Sequence, residues 1–415
     1  MNQIPLFLPC AAGAQEFLAQ EARRITACPV DALVQQRGGV QLLATWHDAL
    51  RLNLHSRLAQ RVLVQLAQQA YRAEDDVYAA ARGVAWEHWF TPRQSIKVEV
   101  TAQHSPLKSL NFAALRIKDA VCDRLRELQG ARPDVDTRWP DVRLYAHLSS
   151  DMLTLYIDTS GEPLFKRGWR IDKGDAPLKE TLAAAMLAAS GWADDTQHLR
   201  PLYDPCCGSG TIVIEAAQIA CNMAPGLQRK FAFEKLLPYQ AHEWRALKNE
   251  ASAQVKKPAN PVVFGSDVSH RMVDFAQRNA ERAGVAGVVE LRGGDALQRM
   301  PPTELPGVML VNPPYGERIE AGGFAGRARS GARELPQVGT EGDFFSRLAT
   351  HWKKNYAGWT AWVLTPDLKL PGKMRLKESR RVPMWNGPLE CRLFKFELVS
   401  GKMGPIQPAA PAHVL

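Results

Sequence analysis

The chain has 415 residues and carries a formal net charge of +9, with 46% hydrophobic and 23% charged residues. That is too long for one compact domain, and it is ordinary composition for a globular protein with a real core. The basic balance suits a polyanionic partner such as nucleic acid, and most of the excess falls after residue 160. The seven cysteines form no C-x-x-C pair, which speaks against a zinc site or a disulfide framework and for a reducing, cytoplasmic compartment. The N-terminus has no basic region ahead of an apolar run, so no secretory signal is expected. The longest apolar stretch, around Leu182–Ala189, is too short to span a bilayer.

In chain order, residues 4–9 read as a short buried strand, Ala14–Ile25 as a helix and Gly38–Leu43 as a second strand. A helix follows at Trp46–Asn53, a strand near Arg61–Ala67, and a short helix at Val77–Arg82 leading to Trp86 and Phe90. Ser95–Thr101 alternates as a strand does, Phe112–Gln129 is an amphipathic helix, and Arg143–Leu148 with Met152–Ile157 forms a hairpin. Strands and helices mix here without a repeating parallel order, which predicts one or two small α+β units.

The pattern changes after Thr159. Helices are expected at Ala176–Ser190, Thr211–Cys221, His270–Gly284 and Phe344–Asn355. Strands are expected at Pro201–Tyr203, Pro261–Gly265, Val288–Leu291, Val308–Val311, Trp359–Thr365 and Cys391–Leu398. This alternation predicts an α/β, Rossmann-type, doubly wound and mostly parallel sheet. Glu320–Thr340 reads as a Gly-rich loop and 401–415 as a disordered tail rich in Pro and Ala.

Four motifs fall at predicted strand ends. Asp204-Pro205-Cys206-Cys207-Gly208-Ser209-Gly210-Thr211 joins a strand to a helix. Its glycines permit close backbone approach, and the helix N-terminus offers free N–H groups. It has neither the phosphate-loop nor the dinucleotide spacing, and its acid suits a ligand with a cationic amino-acid part. Asp267 in Gly265-Ser266-Asp267 can accept both hydroxyls of a ribose, or else cap the next helix. Asp295 can accept from an adenine amino group, or else be a solvated turn acid. The fourth motif, Asn312-Pro313-Pro314-Tyr315, decides the chemistry. The Asn312 amide oxygen and the Pro313 carbonyl can accept both protons of an –NH₂ group. They thereby return lone-pair density to a nitrogen that its ring had withdrawn. Tyr315 offers a ring for stacking on an extruded base.

With these motifs in this order, residues 200–316 resemble the Rossmann-type methyltransferase domain with the N-P-P-Y signature of amino-group methylases. Asp158-Thr159-Ser160-Gly161, Lys166-Arg167-Gly168-Trp169-Arg170 and Ala176-Pro177-Leu178-Lys179-Glu180 resemble the linker of THUMP-containing RNA methyltransferases. Ile214-Glu215-Ala216-Ala217 and Ala224-Pro225-Gly226 continue the match. Within that group the chain is similar to the RlmL type, which methylates guanine N2 in 23S ribosomal RNA.

The resemblance implies a ferredoxin-like segment over 1–45, a THUMP-like RNA-binding domain over 46–158 and the methyltransferase domain over 159–400. It implies S-adenosyl-L-methionine as cofactor, 23S rRNA as partner, and neither metal nor membrane. Asp204, Gly208, Gly210 and Thr211 would surround the methionine part, Asp267 the ribose and Asp295 the adenine. Asn312, Pro313 and Tyr315 would hold the target base. Some RlmL proteins carry a second methyltransferase module after the first, and that activity is not expected of this chain. A tRNA guanine-N2 methylase, a DNA adenine-N6 methylase and a non-catalytic ribosome assembly factor are the alternatives.

Several residues admit two readings. Cys206 and Cys207 read as small-residue packing rather than as a covalent nucleophile. Arg167 and Arg170 either grip phosphate or brace the domain junction. Arg327, Arg329 and Arg333 either fold on RNA or are solvated. The cluster of Lys373, Arg375, Lys377, Arg380 and Arg381 reads as a phosphate contact in preference to an ordinary charged face.

Overall fold

The computed structural model describes residues 3–174, 177–314 and 341–399. Two seven-stranded sheets organise them.

The first sheet is built from β1 (Ile4–Pro9), β2 (Leu33–Gln36), β3 (Gly39–Ala44), β4 (Leu63–Ala70), β5 (Ile96–Ala102), β6 (Val142–Leu148) and β7 (Met152–Asp158). Their order is β2-β3-β1-β4-β7-β6-β5. The pairing of Leu6 with Val64 joins the early strands to the later ones, so the N-terminal region shares one continuous sheet. Helices α1 (Gln15–Thr26), α2 (Trp46–His55), α3 (Glu74–Gly83) and α4 (Leu110–Gln129) accompany it.

Local chemistry explains the helix ends. Thr45 and Asp48 form a reciprocal capping box on α2. Ser109 caps α4 by accepting from the Phe112 N–H, and left-handed Gly130 ends it. The Arg143–Leu148 and Met152–Ile157 hairpin is present. However, β5 and β6 are parallel with α4 between them, a βαβ crossover that the sequence pattern did not suggest. A further strand, β2, also escaped notice, being four residues long and largely exposed.

The second sheet contains β8 (Leu202–Asp204), β9 (Val263–Asp267), β10 (Val289–Gly293), β11 (Val308–Val311), β12 (Thr360–Thr365), β13 (Glu378–Asn386) and β14 (Leu389–Glu397). The order is β10-β9-β8-β11-β12-β14-β13. The first five strands in that order are parallel, and β14 and β13 run antiparallel at one edge. The helices are α5 (Glu180–Ser190), α6 (Thr211–Ala220), α7 (Ala241–Ala253), α8 (His270–Arg282), α9 (Glu341–Asn355) and α10 (Leu370–Met374).

Strand β11 shows why this sheet is covered on both faces. Val308 and Leu310 enter one apolar cluster while Met309 and Val311 enter another, following the two-residue period of a strand. The first cluster continues into the N-terminal region without a break, through residues such as Leu18, Leu50 and Val64.

Polar contacts fix the same junction. Arg57 and Arg167 both reach Glu215 on α6, at 2.8 and 3.2 Å. The Gly226 N–H donates to the Leu54 carbonyl at 2.9 Å. A Cβ on Gly13 would lie 2.1 Å from the Pro383 carbonyl oxygen, so the β1–α1 turn meets β13 at contact distance. Among the described residues no helix is long and apolar enough to cross a membrane. Tyr315, the Glu320–Thr340 loop with its three arginines, and the 401–415 tail lie outside the described residues.

Candidate active site

Four parallel strands end on one rim of the second sheet, and each ends in a residue singled out from the sequence. Asp204 closes β8, Asp267 closes β9, Asp295 follows β10 after Gly294, and Asn312 follows β11. Strand β8 lies between β9 and β11, so the chain order reverses there, the point at which open α/β sheets have a crevice beyond the strand ends. Open α/β sheets bind ligands at such a switch point. Parallel register aligns the rim, with Asp204 opposite Gly265 and Gly293 opposite Asp267.

Asp204 is buried, and its Oδ1 accepts from the Cys206 N–H at 3.0 Å. Burial, with the Asp267 charge nearby, pushes its carboxyl up to about 8. A cation arriving beside it would restore the ionised form.

The two glycines of the turn differ. Gly208 has φ +54, and a Cβ there would meet open space. Its N–H donates to Asp267 Oδ2 at 3.0 Å. Gly210 has φ +91, and a Cβ would sit 3.0 Å from both the Ala276 and Ile214 side chains. Gly208 therefore borders the crevice, whereas Gly210 lets α8 pack against the turn.

Thr211 is buried, and its hydroxyl accepts from Arg170 Nη2 at 2.7 Å. Asp267 accepts the Gly208 and Ser269 N–H groups, one on each oxygen, and burial raises its carboxyl. A carboxylate has lone pairs left after two such bonds. Asp295 accepts from the Leu297 N–H through Oδ1 at 2.9 Å.

Asn312 Oδ1 is buried and, among the described residues, lacks any hydrogen-bond partner. An orphaned buried acceptor costs about 1–3 kcal/mol, which a donor reaching Asn312 Oδ1 would recover. Pro313 beside it is buried.

Burial raises the Cys206 and Cys207 thiols well above their ordinary value, so both are neutral packing groups rather than nucleophiles. Arg167 is 2% exposed and donates to the Leu164 and Arg57 carbonyls as well as to Glu215. Arg170 pairs with Glu180 at 3.0 Å. Arg167 braces the domain junction, and Arg170 ties the linker to α5 and α6. In the basic cluster, Lys373 pairs with Asp367 and Arg381 with Glu378, and Arg380 and Arg381 lie on β13, the edge strand. Charges on an exposed edge discourage strand pairing with other chains, a sufficient reason for them. Among the described residues no group of three His, Cys, Asp or Glu is placed to hold a metal.

The sequence reading missed Asn279, a fully buried polar residue on the apolar face of α8. Its signal was an amide at core spacing between Ala276 and Ala283.

Comparison with known proteins agrees with this architecture. The RlmL ferredoxin-like domain matches residues 5–63, the THUMP domain 71–158, and the RMKL-like methyltransferase domain 167–327. The chain belongs to the THUMP-domain methyltransferases of the RlmL type.

Family members named ribosomal RNA large subunit methyltransferase K/L include one from Psychromonas ingrahamii, 34% identical over 98% of this chain and 52% of its own length. Another, from Syntrophotalea carbinolica, is 35% identical over 98% of this chain and 56% of its own. The chain thus spans about half the length of the curated relatives it matches. Among solved structures, the methyltransferase SMU.472, complexed with SAH, aligns at a TM-score of 0.82 with 26% identity, covering 96% of this chain and 98% of that one. A protein from Listeria monocytogenes described as an N6-adenine-specific DNA methylase aligns at 0.81 with 26% identity over 95% and 96%.

Proposed function

We propose that this chain methylates the exocyclic N2 of a guanine in large-subunit ribosomal RNA, with S-adenosylmethionine as donor. The observation that carries the reading is the buried, unpartnered Asn312 Oδ1, on the same rim as three carboxylates. That rim offers an anionic anchor for an ammonium (Asp204), a hydroxyl acceptor (Asp267) and an amine acceptor (Asp295). The open space above Gly208 fits a ligand that lies on the backbone. S-adenosylmethionine supplies, when bound, an electrophilic methyl on a cationic sulfur.

The protein's own work is positional. Asn312 Oδ1 and the Pro313 carbonyl would accept the two protons of the base amine and direct its lone pair toward the methyl donor. The amine nitrogen would take the methyl that the donor supplies, the donor would leave as S-adenosylhomocysteine, and one amine proton would leave to solvent. Tyr315 follows this motif in sequence, and we assign it the stacking role on the flipped base. The names of the curated relatives favour ribosomal RNA over transfer RNA. The Listeria relative favours a DNA adenine instead, because an acceptor pair recognises an amine rather than a whole base.

Purified protein and labelled S-adenosylmethionine are incubated with total RNA from a strain lacking the gene, and the methylated nucleoside is identified. N2-methylguanosine in the 23S fraction supports the reading. Label in transfer RNA moves the substrate, and label only in DNA replaces the reading with its rival. Asn312→Ala is expected to abolish turnover while S-adenosylhomocysteine still binds; retained turnover removes the role assigned to Asn312.

A further inference from the structure

Asn279 sits on α8, 0% exposed, and every hydrogen-bonding position of its amide that faces a neighbour is used. Its Nδ2 donates to the Ser209 carbonyl at 3.0 Å and to the Asp172 carbonyl at 2.8 Å. Its Oδ1 accepts from the Ile171 N–H at 3.4 Å and from the Arg282 guanidinium. Ser209 is the middle residue of the Gly208-Ser209-Gly210 turn. Residues 171 and 172 belong to the linker that descends from the last strand of the first sheet. One buried side chain therefore holds the turn and the linker together.

The neighbouring contacts repeat the arrangement. Arg170 donates to Thr211 at the start of α6. Arg282 donates to the Trp169 carbonyl at 3.0 Å and pairs with Asp172 at 2.6 Å. Linker residues 169–172 are thus each tied to α6 or α8 beside the turn. The upper end of the linker is held as firmly by the N-terminal region, since Asn53 donates to Thr159 and accepts from Ser160. The linker is anchored at one end in the first sheet and at the other on the turn beneath the crevice.

We infer that Asn279 is a positioning residue for cofactor binding, the joint through which the interdomain linker sets the conformation of the Gly208–Gly210 turn. The inference rests on the reading of this crevice as the S-adenosylmethionine site. The turn contains two residues with positive φ, a backbone that relaxes readily once its outer carbonyl is released. Holding the Ser209 carbonyl away from the crevice keeps the Gly208 side of the turn open and the Gly208 N–H on Asp267. Asn279→Ala leaves the buried Ser209 carbonyl, and the part-buried Asp172 carbonyl and Ile171 N–H, without this partner. Asn279→Asp keeps the size and an acceptor but turns a carboxylate oxygen toward two carbonyls.

The test is calorimetric binding of S-adenosylhomocysteine to the full chain, well below the melting temperature, for wild type, Asn279→Ala and Asn279→Asp, with melting curves alongside. The expected result is affinity about tenfold weaker or worse in both variants, per folded molecule. Arg170→Ala, which frees the turn from the linker side, is expected to weaken binding in the same direction. Variants that melt earlier yet bind within twofold of wild type would show a purely structural amide and overturn the inference. If a variant fails to fold, Arg170→Ala decides alone by the same criterion. Absence of binding by the wild type would refute the site reading itself, a separate outcome.

Discussion

Asp204 ties the site to pH in a way that can be measured. Its folded carboxyl titrates near 8, against about 3.9 for an ordinary aspartate. The folded state therefore holds an extra proton between those values. Its contribution to stability is fully present below the ordinary value and is lost as pH rises toward 8. In the role proposed for Asp204, a ligand ammonium would reverse the preference, so binding at neutral pH would expel that proton. S-adenosylhomocysteine affinity should then weaken by up to roughly tenfold per unit as pH falls from 8 to 6. The binding enthalpy should change with the ionisation enthalpy of the buffer. Asp204→Asn should bind weakly and show neither dependence; a pH-independent wild type would remove Asp204 from the ammonium role. The residue types at this rim were readable as a motif, but that burial keeps Asp204 protonated was not, because burial belongs to the packed strands around it.

At the scale of elements, the strand–helix turn separates two uses of glycine that look identical in sequence. Gly208→Ala introduces a Cβ into open space at a left-handed φ, costing about 1–2 kcal/mol of stability. Its larger effect should be on cofactor affinity, because the new methyl projects where the ligand would lie. Gly210→Ala pushes a Cβ against Ala276 and Ile214 at φ +91 and should lower stability by about 2–4 kcal/mol. Denaturant melts paired with ligand titrations separate the two, and equal effects from both would contradict the division. Helix α4 was legible because its apolar spacing is regular, and the strands β9 and β11 because each is a short, buried run. Helix α7 carried the same signal in Trp244, Leu247 and Ala251, and was overlooked. Strand β13 was hidden for a physical reason: as an edge strand with Arg380, Arg381 and Pro383, it lacks the apolar alternation of a buried one.

For the whole molecule, the junction at Glu215 determines whether the two sheets act as one body. Glu215 is 0% exposed; burial alone would raise its carboxyl, but Arg167 and Arg57 override burial and hold it below the ordinary value. A depressed carboxylate contributes stability above its unfolded value of about 4.3, which is lost as pH falls through the lower folded value. Glu215→Ala leaves two guanidinium groups facing each other without their anion, at a cost of about 3–5 kcal/mol. Calorimetry should show one transition for the wild type and, for Glu215→Ala, a lower or split one with the acid-side loss reduced. An unchanged melt would mean that the apolar cluster spanning both sheets holds the junction without the ion pairs.

The sequence by itself determined the alternation of strands and helices, the positions of the motifs at strand ends, and the chemistry those residue types can perform. It did so because local spacing and turn chemistry are properties of neighbouring residues. Only the tertiary structure decided that β8 sits between β9 and β11, bringing residues from 204 to 312 onto one rim. It also decided that Gly210 packs while Gly208 opens, that Arg167 braces the junction while Arg170 ties the linker to α5 and α6, and that Asn279 joins the linker to the turn. Each of these depends on residues far apart in the chain, and their separation in space is fixed by packing and strand order rather than by any pattern between them.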